Sequence, residues 1–210
     1  MPTTNFKTEI SFTGANILVL EIDESADELL TKFDQIEFYS DEYNKISSEK
    51  RKREFLGVRL ALKELLGTNV MVSYDSNGKP CLQDNSYHIS ISHSGNWIAV
   101  IAHPTRVVGI DIECPSDKIQ KLYTRFLSEK EQEDLSQGKN LKQLQLAWSV
   151  KEALYKIIGK EAVDFAKQLQ IFPFEVKTEG EINAIHVITE KHYKLSYFQT
   201  DAYTLVYCLV

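Results

Sequence analysis

Val58-Arg-Leu-Ala-Leu-Lys-Glu-Leu-Leu-Gly67 and Val150-Lys-Glu-Ala-Leu-Tyr-Lys-Ile-Ile-Gly159 are two readings of one pattern. Each is an amphipathic helix closed by a glycine, the residue that best accepts a left-handed helix cap. Downstream, His88-Ile-Ser-Ile-Ser-His-Ser-Gly-Asn-Trp-Ile-Ala-Val-Ile-Ala102 aligns with Lys194-Leu-Ser-Tyr-Phe-Gln-Thr-Asp-Ala-Tyr-Thr-Leu-Val-Tyr-Cys208. Both read as strand, polar turn, strand, the pattern of a hairpin. Upstream, Ser48-Glu49-Lys50 recurs as Ser128-Glu129-Lys130, and the strand Ile17–Glu21 recurs as Gly109–Glu113. Four blocks in the same order predict an α+β pseudo-dimer of two similar halves, residues 1–104 and 105–210. His103-Pro104-Thr105 is the short connector, and a cleft between the halves is the expected ligand site.

The remaining composition narrows the class. With 210 residues, 43% apolar and 26% charged, the chain has ample core for a soluble protein. Cys81, Cys114 and Cys208 form neither a disulfide framework nor a metal motif, which points to a reducing compartment. The start MPTTNFKTEI lacks a signal-peptide pattern and no apolar run reaches membrane-spanning length, so a cytoplasmic protein without a membrane partner is expected. A net charge of −6 argues against nucleic-acid binding. The run Lys50-Arg51-Lys52-Arg53 is the local exception, and such runs are commonly solvated helix faces.

In Val108-Gly-Ile-Asp-Ile-Glu113, strand alternation puts Ile110 and Ile112 on one face and Gly109, Asp111 and Glu113 on the other. Two carboxylates about 6.6 Å apart repel unless a cation lies between them. The repeat sets Val19 and Glu21 at these positions in the first half. On the helix, Ala147, Val150, Leu154, Ile157 and Ile158 form an apolar stripe, with Glu152 and Lys156 one turn apart on the other side. A Glu–Lys pair at that spacing is ordinary on exposed helices. The first half has Leu60 at the Glu152 position, however, so a buried setting for Glu152 is expected. A buried glutamate needs a partner. Three carboxylates converging on one cleft suit Mg²⁺, which takes a few oxygens plus substrate phosphates.

Ser90-Ile-Ser92-His93-Ser94-Gly95 offers hydroxyls, an imidazole and a glycine at a strand end, a set able to cradle phosphate. An ordinary polar turn has the same composition. A serine hydrolase is disfavoured: there is no G-x-S-x-G elbow, and Ser92 and His93 point to opposite faces. Asn77-Gly78-Lys79-Pro80 marks a turn that places Lys79 as a point charge for phosphate. Arg53 opens a helical stretch where its fork could grip a phosphate twice.

Gly78-Lys-Pro80, Ile89-Ser-Ile-Ser-His-Ser-Gly95, Val108-Gly-Ile-Asp-Ile-Glu113 and Trp148-Ser-Val-Lys-Glu-Ala153 followed by Lys156 together resemble the 4′-phosphopantetheinyl transferases. The two-half length resembles the Sfp type, and the likeness runs from about Ser48 to Lys156. By that resemblance, Asp111, Glu113 and Glu152 hold Mg²⁺ against the pyrophosphate of coenzyme A, and Lys156 neutralises the same group. Ser92 and His93 bind nucleotide phosphates, His93 the 3′-phosphate, with Arg53 and Lys79 alongside. Lys50 resembles a family lysine near that phosphate, in a chain shorter between Lys50 and Arg53 than its relatives.

The activity so implied is Mg²⁺-dependent transfer of the phosphopantetheine arm to a serine of an apo acyl or peptidyl carrier protein by a monomeric enzyme. Glu152 or a water on the metal is the candidate base. Two other readings use the same residues: a metal-dependent nucleotide pyrophosphohydrolase, and a non-catalytic coenzyme A-binding relic. The stretch after Glu113, with Lys118, Lys121, Leu122, Tyr123 and Arg125, is the candidate landing strip for an acidic carrier protein.

Overall fold

In the computed structural model, which describes residues 7–12 (backbone only), 15–135, 139–159 and 163–210, the chain divides into two units, Met1–Thr105 and Arg106–Val210. The first contains strands β1 (Lys7–Phe12) and β2 (Ala15–Glu21), helices α1 (Ala26–Leu30), α2 (Ser40–Tyr43) and α3 (Glu49–Leu66), then β3 (Val72–Tyr74), β4 (Pro80–Leu82), β5 (His88–Ser94) and β6 (Trp97–His103). Strands β1-β2-β6-β5 form one antiparallel sheet and β3-β4 a separate hairpin. Helix α3 buries Leu56, Leu60 and Ala61 in a cluster with Leu18, Leu20, Ile98 and Val100. Gly57 allows the close approach: a Cβ there would stand 2.2 Å from Ile98 Cδ1.

The second unit contains β7 (Val108–Glu113), α4 (Tyr123–Phe126), α5 (Glu129–Asp134), α6 (Leu141–Ile158), α7 (Phe165–Gln168), β8 (Leu169–Ile171), β9 (Glu179–His186), β10 (Lys191–Gln199) and β11 (Thr204–Leu209). Its antiparallel sheet runs β7-β11-β10-β9-β8. Within each unit a strand, a long helix and a hairpin recur: β2, α3, β5–β6 in one and β7, α6, β10–β11 in the other. Both long helices have 18 residues. Each ends on a glycine in the left-handed region, Gly67 at φ 74° and Gly159 at φ 62°.

Three details differ from the sequence reading. Strand pairing matches Leu18 to Val100 and Leu20 to Ile98, whereas Asp111 matches Val206 and Glu113 matches Thr204. Since the aligned hairpins equate Val100 with Val206, the counterparts of Asp111 and Glu113 are Leu18 and Leu20, one residue earlier than Val19 and Glu21. A short apolar strand aligns almost equally well after a slip of one, but the slip exchanges its faces. Second, Ser48 precedes the long helix α3, whereas Ser128 caps the short helix α5 with a capping box closed by Glu131. Asn140 caps α6. Third, α6 is not a one-stripe helix. Gln145, Ser149, Lys151 and Ala153 are buried as well, because α6 is covered on more than one side.

Gly109 sets the depth of that seat. A Cβ on Gly109 would lie 2.3 Å from the Ala153 carbonyl oxygen and 2.7 Å from Ile157 Cγ1. Backbone cannot yield as a flexible side chain can. Gly109→Ala is therefore expected to lower unfolding free energy by about 1–3 kcal/mol through overpacking. Chemical denaturation checks this, with Gly78→Ala as a comparison in which a Cβ meets no atom within 4 Å and only the left-handed φ is strained.

Candidate active site

Because Gly109 faces α6, the alternation of β7 turns Asp111 and Glu113 toward the same helix. Asp111, 3% exposed, accepts from Lys156 Nζ through Oδ1 at 3.0 Å. The same ammonium donates to the Ile110 carbonyl at 2.8 Å. Glu113 is held by two residues of α6: Trp148 Nε1 donates to Oε1 at 3.1 Å, and Gln145 Nε2 donates to the backbone carbonyl at 2.8 Å. Trp148 is in turn fixed edge-on against Phe126, ring centroids 5.1 Å apart.

Glu152 lies in the field of this group. Burial, then the charges of Asp111 and Glu113, push its carboxyl up to about 7, against an opposing pull from Lys156. The structure therefore brings Asp111, Glu113, Glu152 and Lys156 together on β7 and α6. Among the described residues, no group of three His, Cys, Asp or Glu side chains already stands close enough to hold a metal ion. The donor set still fits a hard divalent cation. Mg²⁺ needs only one or two carboxylates when substrate phosphates and water complete its shell, and the unfavourable charge on Glu152 is what a cation would relieve.

The phosphate-binding candidates lie in the first unit. His93 on β5 and Arg53 and Lys50 on α3 line one shallow pocket with Gly95 and Asn96. Arg53 Nη2 donates to the Ile22 carbonyl at 2.5 Å and to Asn96 Oδ1 at 3.4 Å, so part of its fork is committed to the hairpin turn. Asn96 Nδ2 reaches Asp23 Oδ1 at 2.8 Å, and Gly95 takes φ 60° in that turn. Ser92 is buried and His93 exposed, in keeping with neighbouring strand residues on opposite faces. Lys79 does not line this pocket. It sits in the β3–β4 turn, where burial holds its ammonium below the usual lysine range although Asp75 opposes the shift.

Two contributors were not read from the sequence. Lys151, fully buried, donates to Glu131 Oε2 at 2.8 Å, to the Phe126 carbonyl at 2.7 Å and to the Phe165 carbonyl at 3.0 Å. Its signal was present in the Ser-x-x-Glu capping box at Ser128–Glu131, but nothing in that box names a lysine 20 residues on. Glu54 is the other, an acid inside the basic pocket.

Residues 107–208 match the model of the 4′-phosphopantetheinyl transferase superfamily. The chain is 38% identical over 95 residues to the 4′-phosphopantetheinyl transferase psf-1 of Bacillus pumilus, covering 43% of this chain and 40% of that protein. It is 35% identical over 108 residues to a 4′-phosphopantetheinyl transferase of Bacillus subtilis, covering 50% and 45%. It is 30% identical over 132 residues to the 4′-phosphopantetheinyl transferase HetI of Nostoc sp., covering 55% and 56%. The matched regions thus span about half the length of these relatives. Among the described residues, no helix is long and apolar enough to cross a membrane.

Glu152 gives a pH-dependent test of the site. Its folded-state value of about 7 lies above the ordinary 4.5, so the folded protein binds this proton more tightly than the unfolded chain does. The resulting cost is absent below pH 4.5, grows as pH rises to about 7 and is constant above. In chelator-treated protein, Glu152→Gln is expected to be more stable than the parent at pH 8 by roughly 1–3 kcal/mol, and equal to it at pH 4. Thermal melts across that range check it; a parent as stable as the variant at pH 8 would contradict the crowded-carboxylate geometry.

Proposed function

We propose that this protein is a Mg²⁺-dependent 4′-phosphopantetheinyl transferase, acting as a monomer on coenzyme A and an apo acyl or peptidyl carrier protein. The observation that carries the reading is the joint placement of Asp111, Glu113, Glu152 and Lys156 on β7 and α6, within the segment that matches the superfamily. Asp111, Glu113 and Glu152 would hold the metal. When bound, the cation would neutralise charge on the pyrophosphate of coenzyme A.

The serine hydroxyl oxygen attacks the phosphorus on the pantetheine side of the pyrophosphate. The bond from that phosphorus to the bridging oxygen breaks, and adenosine 3′,5′-bisphosphate leaves with the electron pair. Glu152 accepts the serine proton as general base. Lys156 offsets charge building on the departing phosphate. His93, Arg53 and Ser92 orient the nucleotide phosphates. Lys118, Lys121 and Arg125, all exposed, are the surface offered to an acidic carrier protein.

Incubating the protein with coenzyme A, Mg²⁺ and an apo carrier protein, then weighing the carrier, tests the proposal. The expected result is a carrier heavier by one phosphopantetheine group. Loss of coenzyme A with no gain in carrier mass would favour the pyrophosphohydrolase instead, and binding without turnover would favour the relic. Asp111→Ala and Glu152→Ala are each expected to reduce transfer by on the order of 10²–10³, with circular dichroism unchanged.

A further inference from the structure

The pocket that holds His93 also holds an acid. Glu54 Oε1 stands 3.6 Å from His93 Nδ1 and 3.7 Å from Lys50 Nζ. The Lys50–Glu54 contact alone is the common helix pair at i, i+4. His93 changes its meaning, because the imidazole comes from β5, across the pocket, and a helix pair has no need of it. Glu54 is also the more enclosed partner, its side chain 22% exposed against 76% for Lys50. Nearby, Arg53 Nε is buried with no hydrogen-bond partner, a donor that Glu54 leaves unused.

Lys50, Arg53 and His93, three groups able to carry positive charge, thus share one pocket with a carboxylate. We propose that Glu54 is an internal competitor for the anion this pocket binds. Its carboxylate fills the place beside His93 where a phosphomonoester oxygen would sit, and a phosphate must displace it or lie against it. Glu54 thereby sets how strongly the protein distinguishes a nucleotide with a 3′-phosphate from one with a free 3′-hydroxyl. The physical logic is that of dinucleotide sites, where an acidic side chain favours a ribose hydroxyl and disfavours a phosphate. This inference rests on reading the pocket as the 3′-phosphate subsite of the proposed transferase.

Calorimetry with the full chain tests it, using adenosine 3′,5′-bisphosphate and adenosine 5′-monophosphate as probes against the parent, Glu54→Gln and Glu54→Ala. Removing one like charge from contact distance is expected to tighten the bisphosphate about tenfold or more in both variants, while the monophosphate changes less than about twofold. Glu54→Gln keeps size and shape, and matching melting curves establish that each variant is folded. If both variants bind the bisphosphate no tighter, while the parent still prefers it to the monophosphate, Glu54 is not a competitor and the subsite reading survives. If none of the three proteins distinguishes the two nucleotides, both the inference and the subsite reading are overturned. Equal tightening of both probes would also overturn it, as a general charge effect.

Discussion

The approach of α6 to β7 is the constraint on which the second unit depends. A strand and a helix separated by ordinary side chains could not bring Asp111 within hydrogen-bond distance of Lys156 while Trp148 reaches Glu113. Gly109 removes the spacer, so the Ala153 carbonyl lies where a Cβ would otherwise be. Once the backbones are that close, the next two positions on the same face must interact with α6. They are carboxylates, and the helix answers with an ammonium and an indole N–H.

The other side of α6 is fixed by charge. Lys151 is buried beside Glu131, and each is fully engaged: the ammonium has three acceptors, while Glu131 also accepts from the Ile171 and Ser128 amides at 2.8 Å. Burial pulls the lysine below its usual range and Glu131 pulls it back. Such a pair adds little net stability but is costly to break. Its effect is positional: it ties the rotation of α6 to α4, α5, α7 and β8. Glu152 is the next residue, so its direction is set by the same lock.

Much of this is legible in the sequence alone. Gly67 and Gly159 announced both helix ends, and the alternation in Val108–Glu113 assigned Asp111 and Glu113 to one face, because both signals are local. The one-residue shift between Val19 and Leu18 was not legible. Isoleucine, leucine and valine in succession carry no phase, and only pairing with β6 and the apolar cluster under α3 supply it. The turn that carries Lys79 belongs to a separate two-stranded sheet, which sequence spacing does not locate. Glu54 was overlooked for the opposite reason. Inside a run of basic residues it reads as a helix pair, and its meaning comes from His93, 39 residues away on β5.

The corrected register also shows how differently the two units fill the strand positions beneath their long helices. In the first unit the helix-facing positions of β2 are Leu18 and Leu20, both fully buried, and they stabilise the sheet by apolar burial. In the second unit the same two positions are Asp111 and Glu113, which withdraw that contribution and add mutual repulsion felt at Glu152. The second unit offsets the loss with the Lys156 contacts, the Trp148 hydrogen bond and a helix buried nearly all round. Placing carboxylates beneath α3 as well would require a second set of such compensations. Instead, the first unit puts its charge at the rim, where Lys50 and His93 are exposed and Arg53 half-buried, and the sheet under them remains apolar. Acid against a helix and base at a hairpin turn are thus separate solutions to one problem: holding charge in place without breaking the core that positions it.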